Sequence, residues 1–392
     1  MARWGISWLT FLAAMGAYAA SGDPLTLTAG VTTLQDNNLF RIPDGSTLEN
    51  RSDSLVASYA GIKVDKSWSL QKLQLNATVT DYHYRTYSQL NFLGKNYAAS
   101  WNWALTPHFT GSLGVEGGNA LTSFADFKSG TDGNIRTTQT RRASGDGWIG
   151  GGWHLLGSMS SGTSTNSQVF TAVDSSSTRT LEGGLKYIAA SGSVLSLVQR
   201  QGRGEYPNRT ANSFYDNRFD RRVTLVSGTW QASGKSVITA SAGRVIQSYP
   251  IASIRDFSGA TGSFEHVWTP TGKLQITTAL KRELGEWQDV VASYTATDTL
   301  SLSPAWLVSE KVSLQLSAKR TRKSFRGGIV SGIPLRRDDT RSLQAGLAWN
   351  PTRQVSVNLS VQNERRDSVP VVLYSANQYA DRSVSLDLRV SY

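Results

Sequence analysis

The last ten residues of the chain alternate between apolar and polar positions without interruption. The apolar positions are Val384, Leu386, Leu388, Val390 and Tyr392, and the intervening ones are Ser383, Ser385, Asp387, Arg389 and Ser391. A period of two predicts a β-strand with one face in an apolar environment and the other in water. The run ends on an aromatic residue, Tyr392.

The same alternation recurs upstream in segments 72–79, 274–281, 312–319 and 355–362. Strands near Val223 and Val237 alternate poorly and are compatible with either phase. A half-buried strand of a soluble sandwich has a similar pattern, so the alternation alone does not settle the environment of the strands.

The connections between these segments alternate in length, which is a second signal of a membrane barrel. Short turns are predicted at 106–108, 191–193, 232–235, 269–272 and 350–353, and long polar loops at 35–51, 124–133, 205–219, 327–339 and 366–381. Several tryptophans flank the short turns, as expected of an interfacial girdle: Trp101, Trp103, Trp230, Trp268 and Trp349. Gly150–Gly152 is interpreted as part of a strand, where it is expected to allow a close backbone approach or a bend.

These signals predict an all-β, porin-like, transmembrane up-and-down antiparallel β-barrel of about 18 strands, with 16 as the alternative. Both termini are then expected on the periplasmic side. The mean hydropathy of −0.29 fits a chain that is polar on average but patterned. No linker or shift in composition divides the chain, so residues 20–392 are interpreted as a single outer-membrane domain.

The N-terminus has the parts of a secretory signal peptide over residues 1–19, for export through the Sec pathway. Arg3 precedes an apolar stretch from Trp4 to Ala14, and the small residues Ala17 and Ala19 predict cleavage after Ala19. The apolar stretch is shorter than the roughly 20 residues that span a bilayer as a helix.

Two short motifs carry a resemblance to a known family. Asp36-Asn37-Asn38-Leu39-Phe40-Arg41 opens the first long loop, and Gly204-Glu205-Tyr206-Pro207-Asn208-Arg209 opens a middle one. With the aromatic run 97–103, they resemble the EpsL family of outer-membrane proteins, which is associated with exopolysaccharide biosynthesis and exosortase systems. The resemblance implies a role in making or exporting a polysaccharide; the middle motif alone could serve only to shape a turn.

The chain has 40 Lys and Arg against 29 Asp and Glu, a net charge of +11. Strand parity predicts that charges of both signs face the lumen and form candidate polymer contacts: Lys186, Lys281, Lys319, Arg389, Asp387 and Glu182. Further arginines, such as Arg320 and Arg322, are expected near the outer ends of strands. Contact with lipopolysaccharide phosphates and guidance of an acidic polysaccharide are the two interpretations of that belt.

The sequence offers few candidate residues for a catalytic site or a metal site. The four histidines, His83, His108, His154 and His266, are scattered, and there is no cysteine. No nucleophile-elbow or phosphate-loop motif is present, so we expect no catalytic residues, metal or cofactor, and no enzyme. An enzyme assembled from separate strands stays a minor alternative, with His83 as its candidate base.

The sequence therefore predicts an outer-membrane component of exopolysaccharide biosynthesis or export, acting as a conduit or docking partner for the polymer. The expected partners are outer-membrane lipid and lipopolysaccharide, an acidic or neutral polysaccharide, and periplasmic export components, without nucleic acid. A general or anion-preferring porin for small solutes is the main alternative. A scaffold with a plugged lumen is another.

Overall fold

The computed structural model describes residues 24–44, 46, 48, 50–126, 131–168, 171, 173–287, 291–369 and 377–392. The predicted signal peptide, residues 1–19, lies outside the described residues. The strands are β1 (Leu25–Asp36), β2 (Asp53–Trp68), β3 (Gln71–Tyr84), β4 (Phe92–Thr106), β5 (Phe109–Leu121), β6 (Ile135–Gly150), β7 (Trp153–Asn166), β8 (Ser176–Ile188), β9 (Val194–Glu205), β10 (Arg218–Ser233), β11 (Ser236–Ser248), β12 (Phe257–Thr271), β13 (Leu274–Glu286), β14 (Ala292–Leu307), β15 (Val312–Gly328), β16 (Arg337–Trp349), β17 (Val355–Val369) and β18 (Tyr379–Ser391).

The 18 strands form one closed antiparallel sheet. Each strand pairs with its neighbours in sequence, and β1 closes the ring by pairing with β18, from Thr28 opposite Ser391 to Asp36 opposite Ser383. Closure leaves no unpaired sheet edge. The predicted barrel and its count of 18 strands are confirmed. Two short 3₁₀ turns lie at Ser88–Leu90 and Ser253–Arg255, and no helix among the described residues is long and apolar enough to cross a membrane.

The two faces of the sheet are inverted relative to a soluble protein. On β18, Leu386 is 47% exposed whereas Asp387 is 7% exposed. Asp387 accepts a hydrogen bond from Tyr59 of β2, two strands away, which identifies the polar face as the concave inner one. The apolar side chains therefore cover the outside, as a barrel in a membrane requires. Val223 and Val237, whose phase the sequence left open, fall on the inner face by register with Val245 and Val267.

The connections divide the barrel into two rims. The short-turn rim carries both strand ends Leu25 and Ser391 and connections of two to five residues, whereas the long-loop rim carries the connections at 37–52, 85–91, 122–134, 167–175, 206–217, 249–256, 287–291, 329–336 and 370–378. Gly150–Gly152 does not lie inside a strand as expected. It forms the tight β6–β7 turn, because all three glycines have positive φ, a conformation that other residues rarely adopt.

An aromatic girdle surrounds the short-turn rim on the outer face. Trp101, Trp230, Trp268 and Trp349 are between 42% and 57% exposed there. The girdle also includes Trp68, Trp153 and Trp306, which were not predicted to belong to it. Tryptophan is enriched at this depth because its ring is amphipathic, so the girdle marks one boundary of the apolar band.

Candidate functional site: the lumen and the connection that crosses it

The β5–β6 connection folds into the barrel and crosses it. Its Asp126 carboxylate lies 3.1 Å from Nζ of Lys323 on β15 and 2.9 Å from a guanidinium nitrogen of Arg366 on β17. In the ring of 18 strands, β15 is eight positions from β5 and nine from β6. The contact joins opposite walls, so residues 122–126 must span the lumen and narrow it.

A cluster of five charged side chains holds the far end of this connection. Arg336 and Arg366 lie between Asp126 and Asp338, and Arg336 pairs with Asp338 at 2.6 Å. Arg366 also donates to the Ala125 carbonyl oxygen at 2.8 Å. Burial by itself would raise the pKa of the Asp126 carboxyl, but Lys323 and Arg366 outweigh it and hold the pKa well below its usual range. Asp126 is therefore an anion inside a basic pocket.

Aromatic rings flank the same cluster. Trp287 contacts Phe325 edge to face, with ring centroids 5.0 Å apart. The Lys323 ammonium lies 4.4 Å from the Trp287 ring centroid, and the Arg336 guanidinium lies 4.7 Å from that of Phe325. The rings limit water around the ion pairs, which strengthens their attraction.

The first motif of the sequence, 36–41, folds back over the inner wall next to this connection. Arg41, with φ 54°, pairs with Asp36 at 3.0 Å and with Asp381 of β18 at 3.1 Å. The Asn38 side chain donates to the carbonyl oxygens of Ile42 and Ala380, both at 2.8 Å. These contacts tie the motif to both strands of the β1–β18 seam at its long-loop end.

Phe40 of the same motif joins it to the crossing connection. Its side chain is 1% exposed and packs in one cluster with Leu90 and Phe124. The ring centroids of Phe40 and Phe124 are 4.8 Å apart, and those of Phe40 and Tyr87 are 4.7 Å apart. The crossing connection is thus held at both ends, by apolar packing at Phe124 and by ion pairs at Asp126.

The second motif, 204–209, builds a separate support on the long-loop rim. Tyr206 is 4% exposed and packs with Phe219 and Tyr249. The Arg209 guanidinium lies 3.8 Å from the Tyr206 ring centroid and pairs with Asp174 at 2.9 Å. Burial, together with Glu286, raises the pKa of the Tyr206 hydroxyl. The motif does more than shape a turn, because it packs three long connections together.

The ends of β13 and β14 also lean into the lumen. Leu284 and Ala296 pair with each other and continue the outer face of Leu280 and Leu300, yet they are 8% and 1% exposed. They pack on the inner-face residues Val245 and Phe257. Pairing between β12 and β13 stops at Gly262 and Arg282, so the hairpin end separates from β12 and lies inside the wall.

The six predicted lumen residues lie on the inner face, but in three separate places. Glu182 and Lys186 of β8 belong to one group: Lys186 forms an ion pair with Asp146, which also bonds His154 at 2.7 Å, and Glu182 pairs with Arg200. Opposite charges therefore neutralise each other along this part of the wall, which matches the mixed lumen that the sequence predicts.

The other four residues differ in the number of hydrogen bonds and ion pairs that they form. Asp387 accepts hydrogen bonds from Thr32 at 2.9 Å, Tyr59 at 2.9 Å and Asn358 at 3.1 Å, and so fixes the seam between β17, β18, β1 and β2. These bonds join four strands. Arg389, on the same face of β18, has a buried Nε without a hydrogen-bond partner among the described residues.

Lys281 and Lys319 lie on β13 and β15, five and three strands from β18. Lys281 pairs with Glu283 at 2.9 Å. Lys319 of β15 is exposed to the lumen and forms no ion pair with any residue in the described part of the chain. Among the six, Lys319 is the one whose charge reaches lumen water most directly.

Hydroxyl groups line much of the remaining inner wall. Five cross-strand serine pairs lie there at 2.7 to 3.2 Å: Ser112 with Ser144, Ser196 with Ser227, Ser241 with Ser263, Ser303 with Ser317, and Ser360 with Ser385. A cavity of about 600 Å³ towards the short-turn rim is bordered by Asn102, Ser112, Ser144, Ser158 and Glu182. Each hydroxyl can both donate and accept, so the wall can exchange hydrogen bonds with passing polar solutes.

The candidate base His83 and two aromatic side chains near the long-loop rim lie apart from the lumen charges or are engaged in packing. His83 lies on the outer face beside Asp81, at 3.3 Å, away from the lumen groups. No cluster of potential metal ligands occurs among the described residues. Tyr82 is stacked on Phe92, with centroids 4.5 Å apart, and Tyr215 lies under Arg255. These two tyrosine rings are engaged in packing, whereas the neighbouring Phe214 is exposed.

Comparisons with known proteins agree with this architecture. Residues 232–392 match the family model described as "Putative beta-barrel porin 2". A BenF-like porin from Pseudomonas fluorescens Pf-5 superposes with a TM-score of 0.52 at 11% identity, covering 94% of this chain and 98% of that one. OccK2 (OpdF) from Pseudomonas aeruginosa gives a TM-score of 0.51 at 10% identity, covering 94% and 97%. No curated protein matches the sequence. The chain is similar to these porins in fold.

Proposed function

We propose that this porin-like barrel spans the bacterial outer membrane as a component of exopolysaccharide biosynthesis and export, with its lumen as a conduit or docking site for the polymer. The observation that carries the proposal is the hydroxyl-lined inner wall, with its serine pairs and internally neutralised charges. Such a wall offers a sugar chain many weak, exchangeable hydrogen bonds and few strong ones, so a polymer can bind and move on.

The resemblance of the two motifs to the EpsL family supports the same proposal. Both motifs are engaged in packing the long connections, since Phe40 contacts Phe124 and Tyr206 packs on Phe219. Under this proposal the motifs set the position of the connections through which a polymer has to pass. Any force for export comes from elsewhere, because a passive barrel has no energy source of its own.

A small-solute porin is the second candidate, and the crossing connection favours it. Residues 122–126 divide the lumen in the arrangement described, so a polymer has to displace them whereas a small solute passes beside them. The net charge of +11 makes a preference for anions part of this candidate.

Deletion of the gene in its host tests the first proposal. Polysaccharide is quantified separately in the medium and in the periplasm, with the intact gene restored in a third strain. Loss from the medium that the restored gene reverses supports the export role. Unchanged polysaccharide in both compartments rejects it and favours the porin.

Planar-bilayer recordings separate the two candidates at the level of the pore. Host polysaccharide added to one side of a single channel is expected to block the current reversibly if the polymer enters the lumen. If the channel conducts ions and the polymer does not change the current from either side, the result supports the small-solute porin. A complete lack of conductance in both conditions supports the plugged scaffold.

A further inference from the structure

A row of arginines lies on the outer face of the barrel, towards the long-loop rim. Arg320 of β15 is directly opposite Arg341 of β16, which is directly opposite Arg365 of β17. Side chains in such positions are about 5 Å apart at their Cβ atoms. The residues two positions further along the same face are apolar on β16, where Leu343 is 64% exposed, so the row borders the apolar band.

The carboxylates on this face are too few to neutralise the row. Asp339 lies 2.6 Å from Arg320, 3.6 Å from Arg341 and 3.8 Å from Arg322, so three guanidinium groups share one anion. Asp367 pairs with Arg365 at 3.2 Å. Four arginines therefore face two carboxylates, which leaves an excess of two positive charges. Like charges on directly opposite residues destabilise a sheet unless an anion lies between them.

Three other outward arginines on the same rim each have a carboxylate partner. Arg203 pairs with Asp220 at 3.1 Å, Arg218 with Glu205 at 3.7 Å and Arg282 with Asp298 at 2.8 Å. The row on β15–β17 differs from these three pairs in charge balance, because its arginines outnumber their carboxylates.

We propose that the row Arg320, Arg341 and Arg365 binds the phosphate groups of a phosphorylated lipid in the surrounding leaflet. The three side chains are 49%, 64% and 71% exposed, so their guanidinium groups are accessible from outside the barrel. A guanidinium presents a planar fork of N–H donors that matches phosphate oxygens, which a lysine ammonium does not. A phosphate bound at the row supplies the negative charge that the two carboxylates do not provide.

The position of the row selects a lipid over a soluble anion. Leu316, Leu343 and Val361 lie on the same outer face beside it and are 54%, 64% and 41% exposed. A lipid whose phosphate contacts the arginines can lay its acyl chains along these residues. Free phosphate gains only the ionic contact, which salt screens at an exposed surface.

The test uses the full barrel in detergent, titrated separately with bisphosphorylated lipid A, with chemically dephosphorylated lipid A and with inorganic phosphate. The row variant is the triple substitution Arg320→Gln, Arg341→Gln and Arg365→Gln. Its control, Arg203→Gln, Arg218→Gln and Arg282→Gln, removes the same charge from arginines that have their own carboxylates. Retention of the strand signal in circular dichroism shows that both variants fold.

The expected result is that the row variant binds bisphosphorylated lipid A about 10- to 100-fold more weakly than the wild type, and the control variant less than about threefold more weakly. Equal weakening in both variants overturns the proposal, as does equal affinity of the wild type for the dephosphorylated lipid. Inorganic phosphate bound as tightly as the lipid assigns the row to a soluble anion. A row variant that changes the oligomeric state on native gels assigns it to a second copy of the chain.

Discussion

Asp126 and Lys323 form an ion pair of 3.1 Å between a connection of one wall and a strand of the opposite wall. The two residues are 197 positions apart in sequence. Because Arg366 and Arg336 also face Asp126, one carboxylate holds three cations in place. The diameter available to a solute at this level therefore depends on this carboxylate together with the packing of Phe124 on Phe40.

Replacing Asp126→Asn is expected to release the connection and raise single-channel conductance. The loss of one partner from a buried ion pair costs about 3–5 kcal/mol, because the remaining charges stay desolvated without compensation. Planar-bilayer recordings measure the change, and open-channel noise is expected to increase as residues 122–126 move. The matched control is Asp81→Asn, which removes a carboxylate from the exposed outer face. Conductance equal to that of the wild type would contradict the assignment of Asp126 as the anchor.

Replacing Phe40→Ala is expected to loosen the same connection from its other end. Removing a buried phenylalanine costs about 3–5 kcal/mol through lost burial and the cavity left behind. Limited proteolysis is expected to cleave between residues 122 and 134 faster than in the wild type. Phe214→Ala, at a side chain 57% exposed, is the control and is expected to leave cleavage unchanged. Identical cleavage of the Phe40 variant and the wild type would show that Phe124 does not depend on Phe40.

The strand count was predictable because it rests on local signals. A period of two identifies each strand, and the short turns identify where the chain reverses, as at Ala232–Lys235 between Trp230 and Val237. Closure then follows from pairing the first strand with the last. Gly150–Gly152 is predicted to lie in a strand, whereas its three positive φ values and the start of β7 at Trp153 place it at the β6–β7 turn.

The crossing connection was not predictable in the same way. Asp126, Lys323 and Arg366 each occur in segments rich in charge and resemble solvated residues, and nothing local links positions so far apart. The one available signal was the apolar pair Phe124-Ala125 inside a polar loop, since an exposed loop gains nothing from such residues. The motif 36–41 was noticed through a resemblance, and its role at Phe40 emerged from the packing.

Acid is expected to release the connection only at unusually low pH. The pKa of Asp126 is lowered in the folded barrel, so its contribution is fully present above the ordinary pKa of a carboxyl group, about 4. It is lost as pH falls through the lowered folded value. Single-channel conductance is measured from pH 7 to pH 3 for the wild type and for Asp126→Asn. The difference between the two conductances at each pH isolates the titration of Asp126, because neighbours such as Asp338 are present in both proteins. A rise of this difference between pH 6 and pH 4 would mean that Asp126 titrates normally.

Lys319 is expected to set part of the ion selectivity of the pore. Its side chain faces the lumen and forms no ion pair with the described residues, whereas the next residue, Arg320, faces outward and pairs with Asp339. Lys319→Glu reverses one lumen charge and is expected to lower the ratio of chloride to potassium permeability about twofold, from the interaction of unit charges a few ångströms apart in water. Reversal potentials across a salt gradient give the ratio. Arg320→Glu makes the same charge change one position away, on the outer face, and is expected to leave the permeability ratio equal to that of the wild type within error. An equal shift of the ratio in both variants would refute the assignment of Lys319 and Arg320 to opposite faces.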